Sequence, residues 1–235
     1  MITTIAFDAD DTLWHNERFY RLTEQGFTEL LADYADPDHL SERLLAAERR
    51  NIKRYGYGIK GFVLSMIETA VEVTHNGVPA SKIREILDAG HQMLEHPIEL
   101  LPHVRETVET VAASYRTVIV TKGDLLDQER KIAQSGLAGI FHGVEIVSEK
   151  TPDTYRTVFD RHGAGPDRGV MVGNSMRSDI VPALEAGSWG VHVPHDMTWA
   201  LEHAETPEAH PRFHVIKDMS GLPGLLETLR QAEHA

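Results

Sequence analysis

No cysteine occurs anywhere in the 235 residues. That excludes disulfide staples and thiolate chemistry, and it suits a reducing compartment such as the cytoplasm. Basic residues are scarce, with 23 lysines and arginines against 36 aspartates and glutamates and a formal net charge of −13. Nucleic acid and anionic membrane surfaces are bound through an excess of positive charge, so neither is an expected partner. A phosphate-bearing ligand would need compensation within its own site. Long apolar runs are missing too: no stretch approaches the roughly 18 residues of a membrane span, and the chain opens directly in a strand-like pattern, which reads as soluble and untargeted.

What is present is ample for a core, since 41% of the residues are hydrophobic. Short β-branched runs recur at "ITTIAF" (2–7), "RTVIV" (116–120), "GVEIV" (143–147), "GVMVG" (169–173), "WGVHV" (189–193) and "FHVI" (213–216). Helical patterns such as "VRETVETVAASY", "LLDQERKIAQSG" and "TYRTVFDRHG" separate most of them, which predicts crossover units and a mainly parallel sheet. Residues 15–96 break this alternation. They carry helical spacings, among them Phe27, Leu30, Leu31 and Tyr34, or Ile83, Ile86, Leu87 and Leu94, and no convincing strand. The prolines of "EHPIELLPHV" mark the return to the sheet, and "DYADPDHLS" divides two helices inside the block. The predicted architecture is an α/β, doubly wound core from residues 1–14 and 97–235, interrupted by an all-helical domain over 15–96.

Ligands of such sheets bind beyond the carboxyl ends of the strands, where Asp8, Thr121 and Asn174 fall, each just after an apolar run. Asp8 and Asp10 leave the first strand two apart, Thr121 lies in "VIVTKGD", Lys150 follows "GVEIVSE", and "VGNSMRSD" supplies Asn174, Ser175 and Asp179. This set resembles the haloacid dehalogenase superfamily, in its phosphatase branch with a helical C1-type cap and a Rossmann-like core. Its D-x-D-x-T motif is matched by Asp8, Asp10 and Thr12, its strand-end threonine by Thr121, its lysine by Lys150 and its acidic loop by "GNSMRSD".

The chemistry of these residue types fits phosphoryl transfer, which needs a nucleophile, neutralisation of the phosphoryl oxygens and a proton for the leaving alkoxide. Asp8 is the candidate nucleophile, forming an aspartyl phosphate. Asp10 is the candidate acid and later base, Lys150 offsets the crowded anions, and Thr121 with the backbone N–H groups of Lys122 and Gly123 is placed to bind phosphate. The resemblance implies Mg2+, held by Asp8, Asp179, Asn174 and the backbone carbonyl of Asp10. Asn174 stands where the family usually has an acid, offering a dipole in place of a charge. A halide leaves without a proton, so Asp10 favours phosphate esters of small molecules over a metal-independent 2-haloacid dehalogenase. A module that binds a phospho-ligand without turnover is the remaining alternative.

Other signals read more plainly. Asp11 is expected as a surface or helix N-terminal acid. Ser175 either touches phosphate or caps a helix. "GYGIKG" (56–61) satisfies G-x-G-x-x-G but follows a basic helical pattern instead of a strand, so it reads as a joint between helices. Arg49, Arg50, Lys53, Arg54 and Lys60 read as a solvated face, with Tyr57 and Lys60 as weaker substrate candidates. His15 is the one histidine close to the first motif, and "TWALEHAETPEAHPRFH" reads as a surface loop with a short helical piece.

Overall fold

Strands buried on both faces need nearly continuous apolar sequence, and the six β-branched runs supply it. The computed structural model describes residues 1–232. Strands β1 (Thr4–Phe7), β2 (Arg116–Lys122), β3 (Gly143–Val147), β4 (Gly169–Gly173), β5 (Trp189–His192) and β6 (Phe213–Val215) form one sheet in the order β3-β2-β1-β4-β5-β6. Every neighbouring pair is parallel. The order of winding reverses between β1 and β4, which opens a crevice at their carboxyl ends.

Alternate side chains of each strand serve opposite faces. Ile5, Phe7, Ile119 and Val172 pack with α5 (Val104–Ala112) and α9 (Leu222–Ala232) through Val104, Val108, Leu222 and Leu226. On the other face, Ala6, Val118, Val120 and Met171 pack with α7 (Pro152–His162) and α8 (Val181–Glu185) through Tyr155, Phe159 and Ala183. Both layers are fully buried at their centres, and truncation of Phe7 or Phe159 to alanine is expected to cost about 3–5 kcal/mol.

Two compact units make up the chain. The sheet unit comprises Met1–Glu17, Ile98–Lys122 and the chain from Glu129 onward, and the helical unit comprises Arg18–Pro97 with Gly123–Gln128. In the helical unit, α1 (Glu17–Leu30), α2 (Pro37–Tyr55), α3 (Ile59–Val73) and α4 (Ala80–Glu95) enclose Phe27, Leu31, Leu40, Leu44, Phe62, Met66 and Ile86. Helix α2 starts where "DYADPDHLS" predicts a break: Asp36 accepts a hydrogen bond from the His39 N–H at 3.0 Å, and Pro37 fills the first turn. "GYGIKG" is the joint between α2 and α3, where Gly56 (φ 74°) and Gly58 (φ 111°) take up backbone conformations that other residues resist. Helix α6 (Leu125–Gln134) begins in the short segment that groups with the helical unit. Among the described residues no helix is long and apolar enough to cross a membrane.

Candidate active site

The turn that leaves β1 is tied to the turn that leaves β4. Asp8 N–H donates to the Val172 carbonyl at 2.9 Å, extending the strand pairing by one residue. The Thr12 hydroxyl accepts from Asn174 N–H at 3.0 Å and shares its proton between Asp8 Oδ2 (3.0 Å) and the Asn174 side-chain carbonyl (3.1 Å). Asp8, Thr12 and Asn174 thus converge at the point where the sheet reverses.

Lys150 joins them. Its Nζ donates to Asp8 Oδ1 at 2.5 Å and to Asp179 Oδ1 at 2.7 Å, with all three residues buried. Asp179 Oδ2 accepts from Ser175 N–H at 2.9 Å. It occupies space that only a glycine leaves open, because a Cβ on Gly173 would lie 2.2 Å from that oxygen. One ammonium serves two carboxylates, so the cluster carries a surplus of negative charge. Burial, then the neighbouring Asp179, push the Asp8 carboxyl up to about 7 against the pull of Lys150, with Asp10 adding to the rise. Burial works against the Lys150 charge as well, but the two carboxylates outweigh it and raise its pKa.

The other predicted residues distribute as follows. The Asp10 carboxylate accepts two hydrogen bonds from Lys131 Nζ, each 2.9 Å, and one from Trp14 Nε1 at 2.7 Å. Thr121 is buried at the penultimate position of β2, opposite Ile146. Lys122 sends its ammonium to Glu202 Oε1 (2.6 Å) and to the Ser178 hydroxyl (2.7 Å). Gly123 (φ 148°) follows directly and groups with the helical unit, and a Cβ there would meet Gln128 Nε2 at 2.8 Å. Ser175 acts as a cap, its hydroxyl accepting from Ser178 N–H at 2.9 Å.

Asp11 corrects its expected surface position. It is buried, and its carboxylate accepts from the N–H groups of Asn16 and Glu17, each at 2.9 Å, where α1 begins. The helix N-terminal half of that expectation is what the structure shows. Burial pushes its carboxyl up to about 6, with those N–H donors and His195 opposing the shift. His195 Nε2 stands 3.7 Å from Asp11, and the His15 ring is 6.1 Å from the His195 ring. In the basic cluster, Arg50 pairs with Glu68 and Glu72, and Lys60 pairs with Asp124.

Two polar residues that sequence reasoning missed adjoin this set. Lys131 sits in an ordinary amphipathic helix pattern, and nothing in its spacing points to Asp10. Glu202 lies in the loop after β5, where Lys122 and the hydroxyls of Ser175 and Ser178 hold its carboxyl below the usual range although burial opposes this.

The donors that converge here are hard oxygens: the carboxylates of Asp8 and Asp179 and the amide carbonyl of Asn174. With a surplus negative charge, that set fits magnesium, which prefers oxygen and retains several waters. Among the described residues no group of three or more His, Cys, Asp or Glu side chains is placed to hold a metal ion.

The family model for haloacid dehalogenase-like hydrolases matches residues 2–187. The chain belongs to that family. It is a hydrolase, and its parallel sheet with flanking helices is the fold of haloacid dehalogenase-like structures. A haloacid dehalogenase-like family hydrolase from Xanthomonas campestris has 43% sequence identity and a TM-score of 0.88, covering 99% of this chain and 94% of that one. Glyceraldehyde 3-phosphate phosphatase of Methanothermobacter thermautotrophicus is 26% identical over 239 residues, 96% of this chain and 100% of its own length. A magnesium-bound hydrolase of the same type from Bacillus subtilis shares the fold at a TM-score of 0.67 and 17% identity, over 96% of this chain and 98% of that one. The fold is also that of 2-haloacid dehalogenases.

Proposed function

We propose that this hydrolase is a magnesium-dependent phosphatase of small phosphate monoesters, acting through an aspartyl phosphate on Asp8. The observation that carries the reading is the buried trio in which Lys150 bridges Asp8 and Asp179 at the reversal of the sheet. A carboxylate held there is oriented for attack, and the adjoining ammonium offsets the charge that gathers when a phosphoryl group arrives. The similarity to a phosphatase of a three-carbon sugar phosphate supports the same substrate class.

In this reading an Asp8 oxygen forms a bond to phosphorus as the ester oxygen departs, and the Asp10 carboxyl gives that oxygen its proton. Asp10 then takes a proton from water, whose oxygen attacks phosphorus and frees Asp8, so that one ester and one water yield an alcohol and inorganic phosphate. Lys131 and Trp14 fix where the Asp10 carboxyl sits. The Thr121 hydroxyl and the N–H groups of Lys122 and Gly123 donate to phosphoryl oxygens. Magnesium, held by Asp8, Asp179, the Asn174 side chain and the Asp10 main-chain carbonyl, would supply the further positive charge that a dianionic phosphate requires. Asn174 gives that site one formal charge fewer than an aspartate would. The helical domain over residues 15–96 acts as the cap that selects the leaving group, and the enzyme works in the cytoplasm on small molecules, without nucleic acid or membrane partners.

The test is phosphate release from an aryl phosphate, then from a panel of phosphorylated metabolites, with and without magnesium. Asp8→Ala is expected to abolish turnover, and unchanged turnover overturns the assignment. Asp10→Asn is expected to slow alkyl phosphates far more than aryl phosphates, whose leaving groups need little help from an acid. Halide release from a 2-haloacid in chelator would establish the dehalogenase reading instead.

A further inference from the structure

Glu202 ends a single 3-10 turn, Ala200–Glu202, in the loop beyond β5, yet its side chain is only 13% exposed. Its Oε1 accepts from Lys122 Nζ at 2.6 Å, and its Oε2 accepts from the hydroxyls of both Ser175 and Ser178 at 2.5 Å. Ser175 caps the π-helical turn Met176–Ile180 that carries Asp179, and Ser178 lies within it. In that turn the Ser175 carbonyl accepts from Asp179 N–H (3.0 Å) and from Ile180 N–H (3.2 Å), a wider loop than an α-helix makes and one that needs outside support. Arg177 adds a second tie, donating to the Leu201 carbonyl at 2.9 Å. Since Ser175 N–H holds Asp179 Oδ2, an unbroken path of polar contacts runs from Glu202 through Ser175, Asp179 and Lys150 to Asp8.

We infer that Glu202 is a positioning residue whose carboxylate clamps the turn presenting Asp179 and takes up the Lys122 ammonium. The catalytic part of this inference rests on the phosphatase reading, and the clamp itself does not. Lys122 then serves substrate through its backbone N–H alone, because its ammonium is already engaged by a buried anion.

The experiment compares the full chain with Glu202→Gln and with Glu202→Gln/Lys122→Met. The single variant leaves the Lys122 ammonium with the more distant Glu149 carboxylate, 3.7 Å away, in place of its close buried partner and risks unfolding, whereas the double variant removes both members of the Glu202–Lys122 pair. Amide hydrogen exchange is read first, without substrate. Exchange at residues 176–180 is expected to quicken about tenfold or more in the folded variant, with Thr4–Phe7 unchanged. Turnover of an aryl phosphate per folded molecule is expected to fall about tenfold in kcat with KM within twofold, as for a displaced catalytic group. Parent-like exchange at 176–180 in the double variant overturns the clamp. Faster exchange with parent-like kcat overturns the positioning role. Should the parent protein release phosphate from no ester at all, the phosphatase reading fails, and the exchange comparison alone then judges the clamp.

Discussion

Two clusters of like composition behave differently in the two units. In the helical unit, Arg50 on α2 reaches Glu68 and Glu72 on α3 at 2.7 and 3.0 Å, and Arg43 also pairs with Glu72. These side chains are about a third exposed or more, cations match anions in number, and water screens what remains, so each pair is worth about 0–1 kcal/mol. At the end of β1, Lys150 serves Asp8 and Asp179 with scarcely any exposure, and cations fall one short. The lesson is that composition does not separate a solvated helix face from a reactive centre. Burial does, because desolvation turns a charge imbalance into shifted proton affinities and an appetite for a further cation.

The contrast can be broken at its strongest point by Lys150→Met, which leaves two buried carboxylates without their cation. Urea unfolding is expected to show a loss of about 3–5 kcal/mol, and turnover to fall by about 10³-fold or more. Gly173→Ala leaves every charge in place but drives a methyl group into Asp179. Turnover is expected to drop about 100-fold with a stability loss of about 1–3 kcal/mol, and an unchanged rate would show that Asp179 need not sit where it does. Titration sharpens the comparison. Asp8 and Asp11 bind protons more tightly when folded (about 7 and about 6) than at the ordinary 3.8, so their contribution is fully present below about pH 4 and is lost as pH rises towards 7. Urea midpoints of chelator-treated protein should therefore show this loss, and Asp8→Asn should flatten the upper part of it. The smallest effect is expected from Arg50→Ala, about 1 kcal/mol at most, with turnover per folded molecule within twofold of the parent.

The strands were legible because a parallel sheet writes itself in contiguous Val, Ile and Gly, and the helical block because its apolar residues recur at helical spacing. Asp8 was legible from its place just after the first strand, and Lys150 and Asp179 from their match to the lysine and acidic loop of the haloacid dehalogenase pattern. Glu202 was not, since it lies in a mixed polar loop whose path is set by packing beyond β5 and leaves no periodic trace. Lys131 escaped for a related reason: its partner Asp10 is 121 residues away in the chain, and an amphipathic helix does not reveal which of its basic residues turns inward. Asp11 shows a third kind of loss, a turn acid drawn inward by backbone donors that its own sequence neighbourhood supplies.

Thr12 has a consequence of its own. A single hydroxyl, accepting one hydrogen bond from the main chain and donating to two oxygens, joins the loop after β1 to the loop after β4. Valine, nearly identical in shape, would remove all three hydrogen bonds at once and leave the two loops joined through the Asp8–Val172 pairing and the Lys150 bridge, where serine would keep the hydroxyl links.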